Sequence, residues 1–162
     1  MDFYILTNKV ATLLIGSSMN LIVNFEEPMD LSGAKANYLD VKSVNKSKTF
    51  IVTPRTKDFH SNLIFYNQKN KYMFYVKYSN DFSHDFVNIK NGQRDSSYSV
   101  AINKDNYRVL SGQQSTLFEN KTNSVITVNG ESFTGSRVFS KGIPLFIEQG
   151  NQREVLFKGD QI

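Results

Sequence analysis

The chain has 162 residues, of which 40% are hydrophobic and 21% charged, and it contains no cysteine. A chain of this length buries roughly 70% of the surface it would expose unfolded, so a core forms without covalent staples, and charge this modest and mixed in sign excludes a disordered composition. The lack of cysteine removes disulfides, thiolate nucleophiles and cysteine-ligated zinc or iron–sulfur centres, while a net charge of +4, nineteen basic against fifteen acidic residues, permits an acidic partner without demanding one.

Near the start, "KVATLLIGSSMN" places Lys9 before a short apolar run, loosely like a secretory signal. The acidic Asp2, the brevity of the run and the apolar "NLIVNF" that follows favour a strand over Val10 to Ile15. No stretch reaches the roughly 18–20 apolar residues of a membrane-crossing helix.

Beyond it the pattern is β nearly throughout. Apolar runs of four to eight residues, rich in Val, Ile, Phe, Tyr and Thr, alternate with Asn, Gly, Asp and Ser. In chain order they predict strands at Leu21 to Phe25, Tyr38 to Val44, Thr49 to Thr53, Asn62 to Tyr66, Tyr72 to Tyr78 and Phe86 to Ile89. Further runs cover Tyr98 to Ile102, Tyr107 to Leu110, Thr116 to Phe118, Ser124 to Val128, Ser132 to Phe139, Pro144 to Ile147 and Glu154 to Phe157. The expected class is all-β, an antiparallel β-sandwich or two small β subdomains. Rising polarity around "HDFVNIKNGQRDSS" divides residues 1–90, an N-terminal sandwich, from residues 91–162, a second β-rich subdomain or a continuation of the first.

Asn129-Gly130, between two alternating runs, predicts a tight hairpin, because both residues tolerate the positive φ of a type I′ turn. Asn91-Gly92 repeats the signal with a looser second arm. Pro28, Pro54 and Pro144 fall at ends or starts of runs, where a missing N–H disrupts no central ladder.

In "SNLIFYNQKNKYMFYVKYS", Tyr72, Phe74, Val76 and Tyr78 share one face of a strand and Met73, Tyr75 and Lys77 the other. A base-stacking platform sets exposed aromatics beside basic residues on one face only. Here Lys69 and Lys71 lie in the turn and only Lys77 interrupts the strand. Core packing is the expected role, with Tyr66, Tyr75, Lys77 and Tyr78 as a candidate protein-interaction surface. Lys42, Lys46, Lys48, Arg55 and Lys57 form a candidate basic patch, read either as a nucleic-acid contact or as a solvated face.

Ser83, His84 and Asp85 name the members of a hydrolytic triad, but consecutive residues in extended backbone point to opposite sides and do not converge; a polar turn is expected. His60 and His84 with Asp58 and Asp85 lack metal-site spacing, so loop histidines and no metal are expected. Glu26 and Glu27 before Pro28 read as a solvated strand end. "SGAKA" at 32–36 lacks the spacing of a phosphate loop, and "NKS" at 45 and "NKT" at 120 match only the short glycosylation pattern. Neither catalytic residues nor a cofactor is expected.

The order of segments over residues 9–79 carries a resemblance. "VATLLIG" leads into "NLIVNFEEPM"; "FIVTP", ending at Pro54, is followed by a loop and "SNL" (Ser61, Asn62, Leu63); the aromatic strand Tyr72 to Tyr78 returns. This resembles the N-terminal β-sandwich of the TraK-type family, periplasmic ring components of conjugative type IV secretion systems. It covers under half the chain and departs in the loop "RTKDFHS", where such proteins often carry a glycine. The resemblance implies a non-enzymatic scaffold near the outer membrane that forms homo-oligomers and binds other protein subunits, touching membrane only through partners. Composition alone fits a viral tail or capsid-associated β protein equally well, and a nucleic-acid-binding β module is the third reading.

Overall fold

The computed structural model describes residues 1–33 and 37–162, so part of the "SGAKA" stretch lies outside the described residues. The first nine strands are β1 (Asp2–Ile5), β2 (Val10–Ile15), β3 (Leu21–Phe25), β4 (Asp30–Ser32), β5 (Leu39–Val44), β6 (Thr49–Pro54), β7 (His60–Tyr66), β8 (Lys71–Tyr78) and β9 (Phe86–Asn91). They build two sheets, ordered β1-β9-β3-β6-β5 and β2-β8-β7-β4. Then follow β10 (Ser99–Asn103), β11 (Tyr107–Ser111), β12 (Ser115–Asn120), β13 (Ile126–Val128), β14 (Glu131–Phe133), β15 (Ser136–Ser140), β16 (Leu145–Gln149) and β17 (Gln152–Phe157), with a 3-10 turn at Gly159–Gln161. These form the sheets β10-β11-β12-β15 and β14-β13-β16-β17.

Alternation decides what lies between the first two sheets. On β8 the residues Tyr72, Phe74, Val76 and Tyr78 are all buried, as are Leu63 and Phe65 on β7. They meet Leu21, Val23 and Phe25 of β3 and Phe50 and Val52 of β6 in one hydrophobic cluster. Its centre is aromatic. The Phe65 ring lies 4.8 Å from Phe50 and 4.9 Å from Phe25, and 5.9 Å from Phe74 on its own sheet. Each such ring contributes roughly 1.5–3 kcal/mol by burial alone, and tilted or edge contacts at these separations add to that. A second cluster, built from Tyr107, Val109, Phe118, Ile126, Val128, Phe133, Phe139, Leu145 and Ile147, lies between the other two sheets.

The sheets differ from the antiparallel expectation in the first half. There β2 runs parallel to β8, and β9 runs parallel to both β1 and β3. Successive strands β1 to β4 alternate between the two sheets, so neighbours come from distant parts of the chain and no hairpin imposes an antiparallel pairing. In the second half all the pairings are antiparallel, many of them through hairpins. The Asn129-Gly130 hairpin forms between β13 and β14, with Val128 opposite Glu131 and φ of 49° and 80° at the two turn residues.

Asn91-Gly92 makes no hairpin. β9 finds its partners in β1 and β3, and the Gly92 N–H donates to the Ile5 carbonyl at 2.9 Å. A Cβ on Gly92 would lie 2.9 Å from the Tyr4 carbonyl, so glycine here serves close approach to β1. The expected strand from Ser132 to Phe139 is two strands, broken by exposed Thr134 and by Gly135 at φ 74°. Neither β1 nor β4 was expected: β4 has one apolar residue in three, and β1, although Phe3, Tyr4 and Ile5 are apolar, is only four residues long.

The two halves are joined along a strand edge. Tyr4 of β1 and Lys141 exchange both backbone hydrogen bonds at 3.0 Å, and the Leu6 N–H donates to the Ser140 hydroxyl at 2.9 Å. Ile143, from the second half of the chain, packs in the first cluster. Between β9 and β10 the Asp95 carboxylate accepts from the Ser115 hydroxyl at 2.7 Å and from the Gln114 N–H at 3.0 Å. Burial pushes its pKa up, but these hydrogen bonds outweigh that and hold it below the usual carboxylate range.

The β5–β6 hairpin stores strain. Val44 pairs with Thr49, the Lys48 N–H donates to the Asn45 carbonyl at 3.1 Å, and the central pair Lys46 and Ser47 has φ of 53° and 63°. Asn45 before them has φ of 50°, so three successive residues stand in the left-handed region, which lysine and serine disfavour. Replacing the pair (Lys46→Asn with Ser47→Gly) is expected to raise the unfolding free energy by about 1 kcal/mol, read as a higher urea midpoint at unchanged slope. An unchanged or lower midpoint would show that the turn is unstrained.

Candidate functional site

The four residues expected as an interaction surface separate between the faces of one sheet. Tyr78 is only 7% exposed and faces the core, which removes it from the outer surface. Tyr75 and Lys77 lie on the outer face of β8, half-buried, and Tyr66 is 41% exposed on β7. Val10, Thr12, Asn62, Tyr75 and Lys77 form one wall of a groove of about 440 Å³; Thr127, Phe146, Glu148 and Glu154 of the second half form the other. The Lys77 ammonium sits 4.9 Å from the Phe146 ring centre and 3.3 Å from the Glu154 carboxylate. Lys9 bonds Glu131 at 2.7 Å. Tyr75 is stacked on His60 with ring centres 5.5 Å apart. The contacts of Lys77 and Lys9 reach from one half of the chain to the other, whereas the Tyr75–His60 stack lies within the first.

The five cations of the expected basic patch do not converge. Lys46 and Lys48 belong to the turn at one end of the β5–β6 hairpin, Lys42 lies midway along β5, and Arg55 and Lys57 follow the other end of β6. Six residues at ~3.4 Å each put the two ends roughly 17–20 Å apart. Arg55 bonds Asp40 at 3.3 Å. What the fold does bring together is Arg55, Lys57 and Tyr78, which line one hollow at the end of the first pair of sheets.

His84 is no polar-turn residue. It is 3% exposed, with Phe3 and Phe82 edge-on to its ring at 5.1 and 5.2 Å. Its backbone N–H donates to the Leu14 carbonyl at 2.8 Å, and the Leu14 N–H donates to its Nδ1 at 2.9 Å. The histidine thus pairs both backbone groups of Leu14 on the outer edge of β2. Nδ1 accepts, so the neutral ring carries its proton on Nε2, which is buried without a partner among the described residues. Asp85 is exposed, with its carboxylate turned to the Phe86 N–H, so no triad forms.

His60 stands on the outer face of β7, opposite Lys77, which is opposite Leu14. His60 and His84 are therefore about three strand spacings, roughly 14 Å, apart. Among the described residues no group of three or more His, Cys, Asp or Glu is placed to hold a metal ion. Glu26 and Glu27 are exposed, and Glu27 bonds Lys69 at 3.3 Å.

Two apolar rows on outer sheet faces were not recognised in the sequence. Val100, Leu110, Leu117 and Val138 stand in register across β10, β11, β12 and β15. Val100 is 52% exposed; the other three are half-buried, Leu117 and Val138 along a hollow they share with Leu6, Thr7 and Lys9 of the first half. Phe86, Ile22 and Ile51 stand in register across β9, β3 and β6, with Phe86 41% exposed. Each row is spread over three or four short strands and becomes visible only once pairing sets the register. Beside the second row runs a polar ladder: Thr49 donates to Asn24, Asn24 to Asn88 and Asn88 to Asp2 at 2.8–3.2 Å. The hydrogen bonds from Asn88 and Lys90 hold the Asp2 carboxyl below its usual pKa.

A scan against family models finds no match for this chain, and a search of curated proteins finds none either.

His84 makes stability depend on acidity. Burial lowers its pKa from 6.5 to about 4, so the unfolded chain takes up the proton first as pH falls. Stability from this group is complete above pH 6.5 and is lost progressively between 6.5 and 4, by about 3 kcal/mol in total. Urea denaturation across that range should show the fall, and a His84→Gln variant should lack that part of it. A wild-type stability that is flat from pH 7 to 4.5 would contradict the assignment.

Proposed function

We propose that this protein is a non-catalytic structural subunit that works through contacts with other protein subunits, as a ring or scaffold component of an envelope-spanning secretion or conjugation complex. The observation that carries the structural reading is the apolar row Val100–Leu110–Leu117–Val138, crossing all four strands of one sheet on its outer face. Apolar side chains aligned on an outer face favour burial against a partner. The bridge between Tyr4 and Lys141 and the seating of Ile143 in the first cluster tie the two halves together, which suits a part that must hold its shape in an assembly. The secretion setting, and with it a periplasmic location, rests on the TraK-type resemblance over residues 9–79.

Sedimentation of the full chain over a wide concentration range tests this reading. Self-association that rises with concentration and is abolished by Val100→Asp or Leu117→Asp is the expected result, with circular dichroism unchanged by the Val100 substitution. A chain that stays monomeric up to its solubility limit, alone and with the products of the genes beside its own, would overturn the proposal.

A further inference from the structure

The hollow at the end of the first pair of sheets has the makings of a ligand site. It measures about 380 Å³ and lies between the β2–β3 loop (Ser17 to Asn20) and the segment from Thr53 to Lys57. That volume suits a small molecule. The two walls are fastened to each other and to the body: the Thr53 hydroxyl donates to Asn20 Oδ1 at 3.0 Å, and the Arg55 N–H donates to the Tyr38 carbonyl at 2.8 Å.

Its chemistry is one-sided. Arg55 and Lys57 are the charged residues of the lining, and no carboxylate shares it. Asp40 occupies only Nη2 of Arg55, at 3.3 Å, which leaves most of the five-donor fork open. Among the described residues Lys57 has no carboxylate within ion-pair distance. Oxyanions bind such a pair through charge-assisted hydrogen bonds. The rest of the lining is hydroxyl and amide: Ser17 and Ser18 can donate and accept, Asn20 keeps its amide N–H donors, and Thr53 and Thr56, whose protons go to Asn20 Oδ1 and the Lys57 carbonyl, are left as acceptors for ring hydroxyls. Met19 and Pro54 add apolar surface.

The Tyr78 hydroxyl supplies an independent observation. Tyr78 lines the hollow, yet its Oη is closed off from solvent and has no hydrogen-bond partner among the described residues, so a ligand in the hollow reaches it only after the lining side chains part. A buried hydroxyl left unpaired costs stability. The neighbouring strand positions on the same face, Tyr72, Phe74 and Val76, belong to the same core, so a phenylalanine would pack at position 78 equally well. Retaining a phenol there is explained if the hydroxyl finds its partner when the hollow is filled.

We propose that this hollow binds a sugar carrying one phosphate or sulfate group, with the oxyanion held by Arg55 and Lys57, the ring hydroxyls by the serine, threonine and asparagine side chains, and the Tyr78 hydroxyl bonded in the filled state. The site is separate from the outer apolar rows and does not depend on the structural role proposed above.

The test is a titration of the isotope-labelled full chain, followed by amide chemical shifts, with glucose 6-phosphate, glucose 6-sulfate, glucose and inorganic phosphate as probes. Saturable shifts at residues 17–20 and 53–57 with at least one ester, stronger than with glucose or inorganic phosphate, are expected; which ester binds tells phosphate from sulfate. Lys57→Gln should weaken binding by about tenfold, as loss of a charge-assisted bond does. Tyr78→Phe should also weaken it while raising the melting temperature of the free protein, a combination that a purely structural tyrosine would not show. No saturable shift with either ester, affinity for inorganic phosphate alone equal to that for the esters, or full affinity in both variants would overturn the proposal.

Discussion

Everything in this structure depends on bulky side chains that alternate along the strands and meet between two sheets. With a period of two, a strand commits every second residue to one face. On β8 that face carries Tyr72, Phe74, Val76 and Tyr78, and on β7 it carries Leu63 and Phe65. Opposed to Phe25 and Phe50, these rings form a close-packed layer in which a slip of one residue would turn the whole set to solvent. Register, and with it the position of every outer side chain, follows from that layer.

A second layer of the same kind, centred on Phe118 and Phe133, organises the other two sheets. The joint between the layers is made of backbone as much as of side chains. The Tyr4–Lys141 exchange covers part of the free edge of β1, His84 covers Leu14 on that of β2, and β4 and β14 have only three residues each. Edges are where a β protein is exposed to unwanted pairing, and here several of them are covered or short. The outer faces carry the two rows of apolar residues.

The all-β class was legible because runs such as Val10 to Ile15 and Leu21 to Phe25 are continuous, and both strands have those bounds in the structure. The Asn129-Gly130 hairpin was legible because its turn chemistry is local. What depended on distant partners was not. Asn91-Gly92 has the same dipeptide, but β1 and β3 claim the strand before it. The parallel pairings, the burial of His84 against Leu14 and the in-register row from Val100 to Val138 arise from strands far apart in the chain. Of the candidate site residues, Tyr75 and Lys77 lie on the outer face of β8 and Tyr66 on that of β7. Tyr78 went inward by the same alternation that placed Phe74, and the basic residues were scattered by the length of their own hairpin.

The account is tested most directly by the accessibility of the aromatic rings in solution, measured as relaxation of their proton signals by a soluble gadolinium chelate. It predicts that Phe50, Phe65 and Phe74 are scarcely affected, whereas Phe86 is strongly relaxed. Rings of Phe65 and Phe74 relaxed as fast as that of Phe86 would contradict the inward layer and every surface assignment built on it.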